Sequence, residues 1–361
     1  MQMNEFMASA AAAATASALP AWLAATWSRT YIRRAEAGPP SALGAKDDSI
    51  SASSALGAKD DSINVHYIQT MAEGHGFDLR IPKDLSLPPT VGSVADLTLE
   101  QLRQLSAIEG FSGVTTAEPA GSDTCILRWH AAFCFPPQLG VDDEPLAVLS
   151  MILEGKHETM DVGRATPTLP AGRGKPVVKW YEHAPDGSYE EEWLMLDGYF
   201  KQGAHLAAVR PARAGEGACW LGILGNTFAF VRDIDRTTVP QAARSRPIAD
   251  VLADESIPLA AKQSLLDAEF SFGFFGQGGG VGGVVECSSL PWRRGVALAT
   301  MIGDGDAAAE WTPIRSSDAG LLAKALAAVT ADHESACQAL REAEGAGQTG
   351  AAELLRARGA V

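Results

Sequence analysis

A chain of 361 residues, 46% of them hydrophobic, is long enough to bury a sizeable core. Its formal net charge of −15, with no local run of Lys and Arg to offset it, argues against nucleic acid as a partner. The five cysteines, Cys125, Cys134, Cys219, Cys287 and Cys337, are odd in number and form no C-x-x-C pair, which argues against a zinc site or a disulfide framework and for small buried hydrophobes in a reducing compartment.

Residues 1–21 read as an alanine-rich leader. Glu5 precedes the small-residue tract Ala8 to Ala18 and no Lys or Arg does, whereas a secretory n-region is positive. No later stretch reaches the roughly 18 apolar residues of a membrane span, so the expected compartment is the cytoplasm. Trp27, Arg29 and Tyr31 alternate within a first strand over 22–34. Ser41 to Ile50 then recurs residue for residue as Ser54 to Ile63, which predicts a duplicated exposed loop over 41–63, since lengthening a loop costs little entropy.

Asn64 to Pro82 carries the clearest local signal. Two runs rich in β-branched and aromatic residues flank two glycines, a hairpin pattern. On its second strand Phe77, Leu79 and Ile81 share one face, and Asp78 and Arg80 the other. Leu97 to Gly110 follows as a helix: Thr98 is the N-cap with Gln101 three residues on, Leu102, Leu105 and Ile108 form one face, and Gly110 stops it. Such a helix is expected to plug or flank one end of a sheet. Strands are predicted at Cys125 to Phe135, Leu146 to Leu153, His157 to Val162, Val177 to Glu182, Ser188 to Leu196, His205 to Arg210 and Cys219 to Arg232, the last broken at Gly225-Asn226. With the first strand and the hairpin these make about ten, and the predicted fold is a mainly β, antiparallel up-and-down β-barrel over 22–315. The competing architecture is a sandwich without an internal cavity. Ile248 to Glu269 reads as helical, Phe270 to Phe275 and Val284 to Ser289 as a hairpin across a glycine run, and 316–361 as an α-helical tail.

Trp27-x-Arg29-x-Tyr31-Ile32, Tyr67-Ile-Gln-Thr70 leading to Asp78-Leu-Arg-Ile-Pro82, Glu109-Gly-Phe-x-Gly113, Tyr189-x-Glu191-x-Trp193 and Ser289-Leu-Pro-Trp-Arg-x-Gly295 stand in this order between Trp22 and Gly295. In that order they resemble a group of uncharacterised bacterial and protist proteins that look like calycin, or lipocalin-like, β-barrels. Ala25-Thr-Trp27 stands where lipocalins carry Gly-x-Trp. The resemblance implies a fold and little chemistry. It also implies structural roles for Trp27 and Trp292, with Trp27 packed at a closed barrel end beneath Arg232, Arg293 or Arg294 and its strand paired with a late one.

No motif calls for a cofactor or a metal. The run Gln277 to Gly283 lacks the Lys-Ser or Lys-Thr of a phosphate loop and precedes a strand. The seven histidines show no ligand spacing, and no G-x-S-x-G elbow occurs. What remains is polar residues set in strands beside aromatics: Arg29 with Trp27 and Tyr31, Gln69 with Tyr67, Asp78 with Arg80, Arg128 with His130, and Glu191 with Tyr189 and Trp193. Such faces are either the wet side of an antiparallel sheet or the lining of a barrel cavity. The favoured expectation is a small-molecule binding or carrier protein for an amphipathic, anionic ligand met by Arg29, Arg80 and Arg128. The alternative is an enzyme using His130 with Glu191 or Asp78 as acid and base.

Overall fold

The computed structural model describes residues 25–34, 64–70, 74–119, 124–137, 152–160, 177–183, 189–196, 205–225, 227–275, 282–303, 310–314 and 322. The Asn64 to Pro82 hairpin forms as its alternation requires. β2 (Asn64–Thr70) pairs antiparallel with β3 (His75–Pro82) from Asn64↔Pro82 to Thr70↔Gly76. Around it are β1 (Thr26–Arg34), β4 (Glu109–Pro119), β5 (Thr124–Phe135), β6 (Ile152–Met160), β7 (Val177–His183) and β8 (Tyr189–Met195). Each pairs antiparallel with the next in sequence, and β8 pairs back onto β1 from Trp27↔Met195 to Arg34↔Tyr189. The eight-strand ladder therefore returns to its start.

A second antiparallel sheet follows in sequence: β9 (His205–Arg210), β10 (Cys219–Leu224), β11 (Thr227–Arg232), β12 (Glu269–Phe275), β13 (Gly283–Ser288) and β14 (Thr312–Pro313). Its six strands lie in the order β13-β12-β11-β10-β9-β14. The single ten-strand ladder expected from the sequence is thus corrected to eight strands plus a separate six. The reason lies in which faces are covered. Phe228, Phe230, Leu221 and Leu206 on one side of the second sheet, and Trp220, Val231, Ala229 and Phe272 on the other, are all buried. A sheet apolar on both faces needs a layer on each. One face shares a core with Phe77 and Leu79 of β3, and the other is covered by α4 (Leu298–Ile302), Trp311 and Leu322.

The predicted Leu97 to Gly110 helix is α1 (Leu99–Leu105), closed by the expected capping box: Thr98 N–H donates to Gln101 Oε1 at 2.8 Å, and Gln101 N–H to Thr98 Oγ1 at 3.3 Å. Leu102 and Leu105 join the core shared by the two sheets, so the helix flanks the ladder and packs with α2 (Ile248–Ala253) and α3 (Leu259–Leu265). These two replace the continuous helical stretch read at Ile248 to Glu269. Pro258 sits at the N-cap of α3, and Glu269 already belongs to β12. β4 occupies what reads as a helix exit, because Gly110 and Gly113 suggest loop. Gly110 is needed for close approach: a Cβ there would stand 3.0 Å from the Phe270 ring and 3.2 Å from the Asp78 carbonyl oxygen. The strands predicted at Leu146 to Leu153 and His157 to Val162 are, over the described residues, one strand running through Gly155. The leader 1–21, the duplicated loop 41–63, the glycine turn 276–281 and the tail 316–361 apart from Leu322 lie outside the described residues.

Candidate functional site

The hairpin register decides where the polar residues point. Because side chains alternate, Tyr67, Gln69, Phe77 and Leu79 turn toward the second sheet. Tyr67 stacks on Phe272 with centroids 4.5 Å apart, and Gln69 Nε2 donates to Thr227 Oγ1 at 2.9 Å. Thr26 Oγ1 meets the same Thr227 hydroxyl at 3.0 Å. Gln69 is therefore a tether between sheets, not a cavity residue.

The opposite face of the hairpin gathers the charges. His66 stands across from Arg80, and Ile68 across from Asp78. His66 Nε2 lies 3.1 Å from both Asp78 oxygens, and Arg80 Nε is 3.1 Å from that nitrogen and 3.2 Å from Asp78 Oδ1. The edge of His66 meets Trp193 of β8 with centroids 4.3 Å apart. Burial pushes the His66 pKa below the usual imidazole value; Asp78 pulls it up, Arg80 pushes it down, and Glu191 pulls it up. The ring is therefore neutral near pH 7. Burial alone would raise the Asp78 pKa, but Arg80 and His66 outweigh it and hold the carboxyl at about 2.

A second buried ion pair lies beside the first, where Arg29 Nη1 on β1 donates to Glu191 Oε1 on β8 at 2.6 Å, both side chains under 5% exposed. Thr30 Oγ1 is 2.8 Å from Glu192 Oε1 and 3.0 Å from the Glu192 carbonyl oxygen. Glu191 Oε2 and His66 Nδ1 are buried and make no hydrogen bond among the described residues.

β1 meets β2 over Thr26↔Gln69, Trp27↔Ile68 and Ser28↔Tyr67. Beyond those pairs the two strands border a cleft of about 210 Å³, lined by Ser28, Arg29 and Thr30 of β1, Val65, His66 and Tyr67 of β2, and Lys83 just after β3. Burial, then Cys287 and Glu286, raise the Tyr67 pKa to about 12, so its phenol keeps its proton. The described lining is rich in hydrogen-bond donors and contains no carboxylate.

Of the residues singled out in the sequence, Arg29, Asp78, Arg80, Glu191 and Trp193 come together on this face, with Trp27 fully buried at its base. Tyr67 borders the cleft. Tyr189 is half-buried and pairs with Arg34. The side chains of Tyr31, Arg128 and His130 lie outside the described residues; their backbones pair with Glu192, Thr116 and Val114. Trp292 is partly buried against the shared core in the turn Pro291–Arg293. The expected pairing of the Trp27 strand with a late strand is corrected: β1 pairs with β2 and β8, and the Thr26 hydroxyl meets Thr227 of β11. Arg232 pairs with Asp267 at 3.1 Å, Arg293 with Glu269 at 3.1 Å and Arg294 with Glu286 at 3.3 Å, all within the second sheet and its flanks. His66 and Lys83 are the site residues missed in the sequence. His66 was legible once the hairpin register is counted, since it faces Arg80 directly; Lys83 carries no such signal.

Among the described residues no three His, Cys, Asp or Glu side chains converge as metal ligands, and no helix is long and apolar enough to cross a membrane. No protein-family model matches the chain, and no curated protein does. Among solved structures it is similar to that of the uncharacterized protein YLR301w from Saccharomyces cerevisiae, at 11% identity over 73% of this chain and 84% of that one, with a TM-score of 0.36. At that score the likeness decides neither fold nor function.

Proposed function

We propose that the protein is a small-molecule binding or carrier protein, that its eight-strand ladder is a calycin-like barrel, and that an amphipathic anionic ligand sits in the cleft between β1 and β2. The observation that carries this reading is the cleft lining: Ser28, Arg29, Thr30, His66, Tyr67 and Lys83 border it, with no described carboxylate among them. Guanidinium, ammonium and hydroxyl donors suit an oxyanion. Val65 and Tyr67 also border the cleft and are its least polar residues. At about 210 Å³ the cleft is below the ~300–1,000 Å³ that drug-sized ligands occupy, so the ligand is small. Arg29 and Arg80 are both held in ion pairs, with Glu191 and Asp78, so each would offer the ligand only the donors its pair leaves over.

Calorimetric titration with benzoate tests it. The full chain is expected to bind benzoate, and Lys83→Glu to weaken binding by about tenfold or more through loss of one cation and gain of one anion. Equal affinity in the parent and the variant contradicts this placement of the ligand. A second reading, an acid–base enzyme, rests on the contact of His66 with Asp78. Its Nε2 is shared with Arg80, which leaves binding the better-supported of the two.

A further inference from the structure

We propose that the cleft receives a short peptide ending in a free carboxylate, and that the peptide lies there as an added strand on the open edge of β2. The inference rests on the anion reading above and adds what carries the carboxylate.

The main chain around the cleft points to it. β1 stays extended to its end because β8 pairs with it as far as Arg34↔Tyr189, and β2 is extended from its start because β3 pairs with it from Asn64↔Pro82. Their facing edges nevertheless pair over only Thr26↔Gln69, Trp27↔Ile68 and Ser28↔Tyr67. Just beyond the last of these pairs the register of β1 shifts between Arg29 and Tyr31, and such a bulge bends its strand. The two strands therefore part as a wedge with Ser28 and Tyr67 at its apex, and the cleft of about 210 Å³ lies in that wedge.

In an antiparallel ladder each residue turns its N–H and C=O to the same neighbour, and successive residues alternate between neighbours. Thr70 N–H donates to the Ala25 carbonyl oxygen at 2.9 Å, so the main chain of Thr70 faces β1. Ile68, His66 and Asn64 face the same way. Ile68 is matched by Trp27, whereas among the described residues His66 and Asn64 have no ladder partner across the wedge. An open edge of this kind is a template for one more strand, and peptide recognition by strand addition uses it. A carboxylate alone cannot satisfy both the donors and the acceptors of that edge; peptide groups supply both.

The open stretch of β2 runs only from Asn64 to His66, so the occupant is short, about three residues at roughly 3.3 Å each. Its carboxylate end is the one that enters. Arg29 and Lys83 border the cleft and no described carboxylate does, whereas a protonated N-terminus would meet those two cations. A peptide that enters carboxylate first runs toward the apex, parallel to β2.

The test is calorimetric titration of the full chain with acetyl-Ala-Val-Ala, with its C-terminal amide, with the acid N-methylated at every amide, and with benzoate. The free acid is expected to bind about tenfold or more tighter than benzoate, and the amide and the N-methylated acid about tenfold or more weaker than the unmodified acid. In the protein, Asn64→Pro removes one N–H that faces the wedge, at the first residue of a strand, where proline is tolerated. This variant, checked for folding by circular dichroism, is expected to weaken binding of the acid by about three- to tenfold and to leave benzoate unchanged. If it does not fold, the peptide series on the parent protein decides alone. Equal affinity for benzoate and the acid, for the amide and the acid, or for the N-methylated and unmodified acid overturns the inference, as does a folded Asn64→Pro with the parent's affinity for the acid. In each of these cases binding of benzoate leaves the anion reading standing. Failure of both benzoate and the acid to bind overturns that reading, and the inference with it.

Discussion

Asp78 shows how much one side chain settles. It is 1% exposed, yet Arg80 and His66 keep it ionised down to about pH 2, below the usual aspartate value. A carboxyl with a depressed folded pKa contributes stability that is complete above its unfolded pKa and lost as pH falls toward the folded one. Asp78→Asn is therefore expected to cost about 3 kcal/mol near neutral pH, the range for breaking a buried pair, because Arg80 and His66 lose their anion. The gap between variant and parent should narrow from about pH 4 to pH 2, as urea unfolding at stepped pH would record. A gap constant over that window contradicts the assignment. At Lys83, exposed and outside the core, a change to Glu is expected to shift stability by no more than about 0.5 kcal/mol. Its effect should fall on ligand affinity. Asp78 and Arg80 were legible as a same-face pair from strand alternation alone; their third partner, His66, required the register of the neighbouring strand.

At the scale of the element, the elements read correctly are those with local punctuation. The capping box at Thr98 and Gln101, the glycines of the 64–82 hairpin and the break at Gly225-Asn226 each lie within a few residues of the structure they specify. β4 was missed because its glycines serve a distant neighbour: Gly110 makes room for Phe270, some 160 residues away. Gly273 is a similar case. The β12–β13 ladder shifts register between Phe272 and Gly273, and a Cβ at Gly273 would collide with the Val284 carbonyl oxygen and the Phe228 ring. Because the first of these is backbone, Gly273→Ala is expected to destabilise by about 1–3 kcal/mol. Thermal unfolding measures it, and a melting temperature equal to the parent's contradicts the packing described for this strand pair.

The whole molecule is organised by one core shared between two sheets. Phe77 and Leu79 of the ladder meet Trp220, Phe270 and Phe272 of the second sheet, and α1, α2 and α3 close its margin. Phe272 also carries the Tyr67 ring that borders the cleft. Phe272→Ala should therefore cost about 3–5 kcal/mol, and both sheets should lose their structure in one transition, with hydrogen exchange in β3 and β11 accelerated together. Separate transitions for the two sheets contradict a common core. The division into eight strands and six was not legible in the sequence, since turns within a sheet and between sheets use the same residues. What separates them is the pairing of β8 with β1, a contact between Arg29 and Trp193 that no local pattern announces. The same pairing sets Arg29 against Glu191 and places the cleft. The most direct measurement is a crystal structure of the protein soaked with 4-bromobenzoate, read by the anomalous signal of bromine. The expected peak lies between β1 and β2, with the carboxylate toward Arg29 and Lys83; a peak elsewhere, or none at saturating ligand, contradicts the assignment of this cleft as the binding site.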